Sequence, residues 1–238
     1  MMFNAQAIVR KSINNATTQF DKLGHVANDL ANYNTYGYKS VRFEQMLRED
    51  GYVEGVQRTD CMQGSVRITE NPYDIAIEGH GYIPVTSEDG QVQYTRDGSM
   101  IKGKGGYLYT RDGWLIGGGI KLPANCYKFT VNKNGDVYTY DEAGSLPRRV
   151  GTIPLVSFAN PEMLDQGVNN KMVATEESGE PQIVKNPNSF RQNAIECSNV
   201  SIQGSIGEML RLNASMIASM RLLKVADDMY NKGINIRE

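Results

Sequence analysis

Histidine is almost missing from this sequence, with two residues, His25 and His80, in 238. His25 falls inside a helical stretch and His80 between two glycines, so neither stands in a triad or a metal-binding spacing. Cysteine is scarce as well. Cys61, Cys126 and Cys197 are odd in number, widely separated and without a CxxC pair. That pattern argues against a disulfide framework or a zinc site and for small apolar side chains. No apolar run approaches the roughly 20 residues that span a bilayer, and the opening MMFNAQAIVRKSINN lacks the apolar h-region of a secretory signal. A net charge of −2 carries no polyanion bias, which disfavours nucleic acid as a partner. GKGG at 103–106 and GGG at 117–119 lack the spacing of a phosphate loop. Asn132-Lys133-Asn134-Gly135-Asp136 lacks the first and last ligands of a calcium loop, and Asp74, Asp97, Asp112 and Asp141 form no legible acid/base pair. The sequence therefore predicts no catalytic residue, no metal site and no cofactor, and a protein that is not an enzyme.

What is present is a pair of helical stripes, one at each end. Val9, Ile13, Ala16, Phe20, Leu23, Ala27 and Leu30 recur at steps of four and three. The same rhythm runs through Ile202, Ile206, Met209, Asn213, Met216, Met220, Leu223, Asp227 and Tyr230. Sustained 4-3 spacing is a coiled-coil signature, with Asn213 and Asp227 placed as register-fixing polar residues. These stripes are predicted to be assembly interfaces, pairing internally or with other copies.

The first helix is expected to stop in Asn32-Tyr33-Asn34-Thr35-Tyr36-Gly37, with Gly37 at positive φ. Residues 38–63 read as an extended arm or loop. From Val66 the pattern alternates, as in Val66 and Ile68 and again in Ile75 and Ile77, with frequent turn residues. Tyr94-Thr95-Arg96-Asp97-Gly98 recurs as Tyr109-Thr110-Arg111-Asp112-Gly113, and Asn134-Gly135 supplies a third reverse-turn signal. The second helix should begin near Ser198 or Ser201 as N-cap. The predicted fold is α+β: long N- and C-terminal helices pairing as a coiled-coil-like stem, flanking a β-rich central domain of short antiparallel hairpins. Its segments are 1–37 (assembly helix and exit motif), 38–63 (arm), 64–190 (β-rich domain with return segment) and 191–238 (assembly helix).

Residues 27–40, ANDLANYNTYGYKS, closely resemble the N-terminal signature of the bacterial flagellar rod and hook protein family. Asn28, Leu30, Ala31, Asn32, Asn34, Thr35, Gly37, Tyr38 and Lys39 fit its motif. Gln63-Gly64, the stretch from Asn71-Pro72 to Gly81-Tyr82, Tyr94 to Gly98 and Gly151 to Pro161 are similar to strand blocks of the rod branch. Ser198-Asn199-Val200 and Asp227-Asp228-Met229 fit the start and end of its C-terminal helix, so the match runs through nearly the whole chain in order. One departure is Leu212-Asn213-Ala214-Ser215, where the family commonly has Gln-Arg and an aromatic pair. The resemblance implies a structural subunit of the flagellar basal-body rod, exported unfolded by the type III apparatus without a cleaved signal. It would polymerise through its terminal helices, with itself and other axial proteins of the rod and hook, into a torque-transmitting tube across the periplasm. It implies neither a membrane span nor a cofactor. An alternative from another class is a β-rich surface or periplasmic binding module on a helical stalk, for which Trp114, Tyr107 and Tyr109 are the candidate aromatic platform.

Overall fold

The computed structural model describes residues 5–235. Two long helices, α1 (Ala5–Ala31) and α2 (Ile202–Asn235), flank a β-rich central region of antiparallel strands. α1 contains no proline, and it stops where Asn32 begins a turn whose carbonyl accepts from the Thr35 amide at 3.1 Å. Gly37 then takes φ +64°, as expected from a helix exit. α2 is capped by Ser201, whose Oγ accepts from the Gly204 amide at 3.2 Å.

The chain divides into two compact units, the first of them α1, α2 and residues 41–58. Those residues are not an extended arm. Val41–Leu47 and Val53–Thr59 pair as a two-stranded sheet, and between them Arg48 donates its amide to Tyr52 O at 2.8 Å. The alternation that would betray these strands is missing, because Phe43 is the one buried residue of the first. Gly55 lies against it: a Cβ there would come within 2.2 Å of the Phe43 ring.

The second unit, residues 32–40 and 59–200, holds the β-rich body. Its largest sheet has seven strands in the order Asp165–Gln166, Met172–Val173, Val92–Thr95, Ile83–Thr86, Leu115–Ile116, Leu108–Thr110, Met100–Lys102. A three-stranded meander (Lys128–Val131, Asp136–Tyr140, Arg148–Thr152) turns first at Gly135, φ +87°. Ala194–Glu196 returns to pair with Val66–Ile68, and Phe190–Gln192 with Ile75–Ile77. The C-terminal boundary drawn at residue 191 therefore falls among strands, and helix begins only at Ile202. Strand residues Ile75, Ile77, Val85, Leu108 and Phe129, with Ile153 just past the last strand of the meander, are among those that fill one core. A satellite cluster is built on Tyr94 and Phe158, edge to face at 4.8 Å.

The repeated pentapeptide adopts two different structures. In the second copy Gly113, φ +88°, closes a tight turn in which Thr110 Oγ1 donates to Asp112 Oδ1 at 2.6 Å. In the first copy Gly98 has no positive φ; instead its missing side chain admits Ile75, whose carbonyl would lie 1.6 Å from an added Cβ. Gly98→Ala is therefore expected to destabilise the β-rich unit by about 1–3 kcal/mol through overpacking against backbone. Chemical denaturation checks this; an unchanged midpoint would mean that Ile75 yields freely.

Candidate assembly surface and the clamp at the helix roots

α1 meets its neighbours in the first unit along a polar face. Thr18 and Gln19 are buried. Gln19 Nε2 donates to Ser215 Oγ at 2.9 Å, and Lys22 Nζ reaches Glu208 at 2.6 Å. Contacts that advance along α1 retreat along α2, so the helices are antiparallel. The same side of α1 holds the hairpin: Asn14 Oδ1 accepts from the Val53 amide at 2.7 Å and Asp29 Oδ1 from the Val41 amide at 3.2 Å. His25 stacks on Phe43 with ring centroids 5.2 Å apart. The imidazole thus has an aromatic packing partner in the hairpin.

The apolar stripe of α1 lies beside this polar face. Val9, Ala16, Leu23 and Leu30 are half-buried and Ala27 is exposed, while Ile13 and Phe20 keep 53% and 50% of their surface. On α2 the face turned inward is Leu212 and Met216, flanked by half-buried Met209, Ser215, Ser219, Leu223 and Ala226. Of the predicted seam, Met209, Met216 and Leu223 lie on it. Ile202, Ile206, Asn213, Met220 and Asp227 are exposed, and the side chain of Tyr230 lies outside the described residues. Sequence reasoning missed Leu210, Ile217, Leu222, Val225 and Met229, which are exposed too, Leu210 by 66% and Met229 by 70%. The available signal was that α2 is apolar on several faces, a composition that a helix covered on one side does not need.

The segments that lead to the two helices are tied together within the β-rich unit. Gly37 donates its amide to Glu196 O at 2.8 Å, and Ser40 donates its own to Asn199 Oδ1 at 2.8 Å. Between them Tyr38 is buried, and Lys39 is fully buried beside an equally buried Glu196. Lys39 Nζ donates to Glu196 Oε1 at 2.7 Å and to Met62 O at 2.6 Å. Arg96 Nε takes the other carboxylate oxygen at 2.7 Å, and its Nη1 donates to Gly79 O and Gly81 O, each at 2.8 Å. The Gly64 amide donates to Glu196 Oε1 at 3.0 Å. Two cations share one anion, and backbone carbonyls take up the remaining positive charge, which is how a buried ionic cluster stays satisfied. Burial pushes the Lys39 ammonium below its ordinary pKa, and the Glu196 carboxylate opposes that shift.

The other residues of the ANDLANYNTYGYKS motif serve the exit. Thr35 Oγ1 donates to Asn32 Oδ1 at 3.0 Å and the Tyr38 amide to Thr35 O at 3.3 Å. Leu30 is half-buried, while Asn28, Ala31 and Asn34 are exposed. Asn170 Nδ2 donates to Tyr36 O at 2.8 Å.

The aromatic residues do not form an open platform. Lys171 Nζ sits 4.7 Å from the Trp114 ring centroid, Lys121 Nζ 5.5 Å from that of Tyr107, and Tyr109 packs against Gly103. Asp112 is engaged by Lys171 and Thr110, Asp97 by Ser99 and Asp74 by Asn71. Asp141 is exposed. The three cysteines are free and half-buried. Exposed His80 borders a cavity of about 150 Å³ with Cys61, Tyr82 and the Arg96 of the clamp. Among the described residues no group of His, Cys, Asp or Glu is placed to hold a metal ion, and no helix is long and apolar enough to cross a membrane.

Comparison with known proteins agrees with this architecture. The family described as flagellar hook protein FlgE/F/G D1 domain matches residues 76–139, within the β-rich unit. The flagellar basal-body rod protein FlgG of Buchnera aphidicola subsp. Baizongia pistaciae is 30% identical over 87% of this chain and 90% of its own length. The protein of the same name from Caulobacter vibrioides is 27% identical over 89% of this chain and 92% of its own. The flagellar hook protein FlgE of Brucella abortus is 32% identical over 47% of this chain and 31% of its own length. With a relative 30% identical along almost its entire length, the chain belongs to the flagellar basal-body rod protein family.

Proposed function

We propose that this protein is a structural subunit of the bacterial flagellar rod, and that its terminal helices are what join one subunit to the next. The observation that carries the reading is the apolar surface of α2. Ile206, Leu210 and Ile217 lie on one exposed strip and Leu222, Val225 and Met229 on another, on a helix that α1 covers along a third face. Exposed apolar strips rimmed by polar residues mark interaction sites. Ile13 and Phe20 extend such a strip on α1. The α1–α2 pair is then a coiled-coil-like stem whose inner contacts are partly polar, and whose outer contacts come from neighbours. A heterologous contact whose rotation does not close yields an open helical filament, the geometry that a tube crossing the periplasm and transmitting torque requires. Its partners are copies of itself and other axial proteins of the rod and hook, and its route out is the flagellar type III apparatus.

Electron microscopy of the purified chain at rising concentration tests the reading, with filaments expected. Phe20→Asp and Ile217→Asp, each placing a charge where a desolvated helix contact is proposed, are expected to abolish filaments at a cost of several kcal/mol. Both positions are exposed in the subunit, so the thermal transition should move little. Normal filaments from both variants would remove the helices from the interface.

A further inference from the structure

The seven-stranded sheet ends in opposite charge at its two edges. At the Met100–Lys102 edge an open groove of about 820 Å³ is lined by Lys102, Lys121, Arg148 and Arg149 over a floor that includes Leu122 and Val150, and no carboxylate lines it. Three of the cations are held in place. Lys102 Nζ donates to Pro123 O at 3.0 Å, Lys121 lies over Tyr107, and Arg149 Nη2 meets Asp136 at 2.7 Å. Arg148 is exposed and forms no ion pair among the described residues.

The opposite edge is the hairpin of Asp165–Gln166 and Met172–Val173, followed by an acidic turn, Glu176-Glu177-Ser178-Gly179-Glu180. Ser178 is fully buried and locks the turn. The Thr175 amide donates to Ser178 Oγ at 2.9 Å, and the Asn160 amide to Ser178 O at 3.1 Å. Thr175 Oγ1 donates to Met163 O at 2.8 Å, which fastens the turn to the chain entering the edge strand. Glu176, Glu177 and Glu180 consequently point outward as a preformed set, and none of them forms an ion pair among the described residues.

The acidic turn belongs to the hairpin that begins the strand order and the basic groove to the strand that ends it, and among the described residues no ion pair joins the two. We propose that the acidic turn of one copy docks in the basic groove of the next, a second contact between subunits made by the β-rich units. It is heterologous, because donor and acceptor edges differ, so it propagates in the same open manner as the helix contacts on which the proposed function rests.

The test uses the full chain, mixed from isotopically light and heavy preparations and assembled at low salt. A zero-length carbodiimide joins only amines and carboxylates in direct contact. Mass spectrometry is expected to find light-to-heavy links from Lys121 or Lys102 to Glu176, Glu177 or Glu180. Lys121→Glu with Arg148→Glu should raise the critical concentration at least about tenfold, since like charges then face each other. Adding Glu176→Lys and Glu177→Lys to that chain should restore assembly. Filaments that lack these links, a critical concentration unmoved by the reversal, or a swap without rescue would each overturn the contact and leave the rod reading standing. A chain that stays monomeric at every concentration overturns the rod reading, and this contact with it.

Discussion

Glu196→Ala is expected to cost the β-rich unit at least about 3–5 kcal/mol, because removing one partner of a buried ionic cluster leaves uncompensated charge. At about 2–4 °C per kcal/mol for a chain of this size, the thermal midpoint should fall by roughly 6–20 °C. The loss is large because Glu196 is the single anion between Lys39 and Arg96, and it also accepts from the Gly64 amide. Lys39→Met is the informative comparison. It leaves Arg96 and Glu196 as a balanced pair, and Met62 O keeps the bond from Asn199 Nδ2 at 3.1 Å. It should therefore cost clearly less than Glu196→Ala. Calorimetry of both variants decides the matter: equal losses would mean that packing around the cluster, not its charge balance, holds this region together.

The second large effect is expected at Gly37. A Cβ there would lie 2.4 Å from the Asp97 nitrogen and 2.5 Å from the Arg96 carbonyl carbon, backbone atoms that cannot rotate away. Its φ of +64° adds a left-handed penalty of about 1–2 kcal/mol for an L residue, largest for a β-branched one. Gly37→Val should thus destabilise by several kcal/mol in total, with overpacking contributing a further ~1–3 kcal/mol. Gly90 separates the two causes, since its φ is +83° but nothing lies within 4 Å of an added Cβ. Gly90→Ala should cost only the backbone term, about 1 kcal/mol. Because the Gly37 amide is bonded to Glu196 O, the valine variant should also lose assembly. A Gly37→Val protein with an unshifted midpoint and normal filaments would show that Asp97 gives way and that the exit is not held by this contact.

Local signals were legible in the sequence because they act over a few residues. The two helices, the end of the first at Asn32 and the start of the second near Ser198 or Ser201 follow from periodicity and capping chemistry, and the structure selects Ser201. The turn at Gly135 and the positive φ of Gly37 follow from the low cost of left-handed backbone at glycine. Family membership was legible for the same reason, since the ANDLANYNTYGYKS motif is a local run.

Tertiary structure decided the rest. The 4-3 rhythm of α2 cannot name its inward face, because a helix of 3.6 residues per turn offers neighbouring stripes of similar composition. Contact with α1 chose Leu212 and Met216 over Ile206 and Met220. On α1 the buried residues are Thr18, Gln19 and Asp29, polar side chains that no hydrophobic count would select; Thr18 Oγ1 reaches Val53 O of the hairpin at 3.4 Å and Gln19 Nε2 donates to Ser215 Oγ of α2 at 2.9 Å. Most telling are the two Tyr-Thr-Arg-Asp-Gly copies. Arg111 is exposed, while Arg96 is buried against Glu196, a residue 100 positions away in the chain. Identical pentapeptides carry identical local preferences, and only the arrival of a distant carboxylate makes burying one arginine favourable and leaves the other in water.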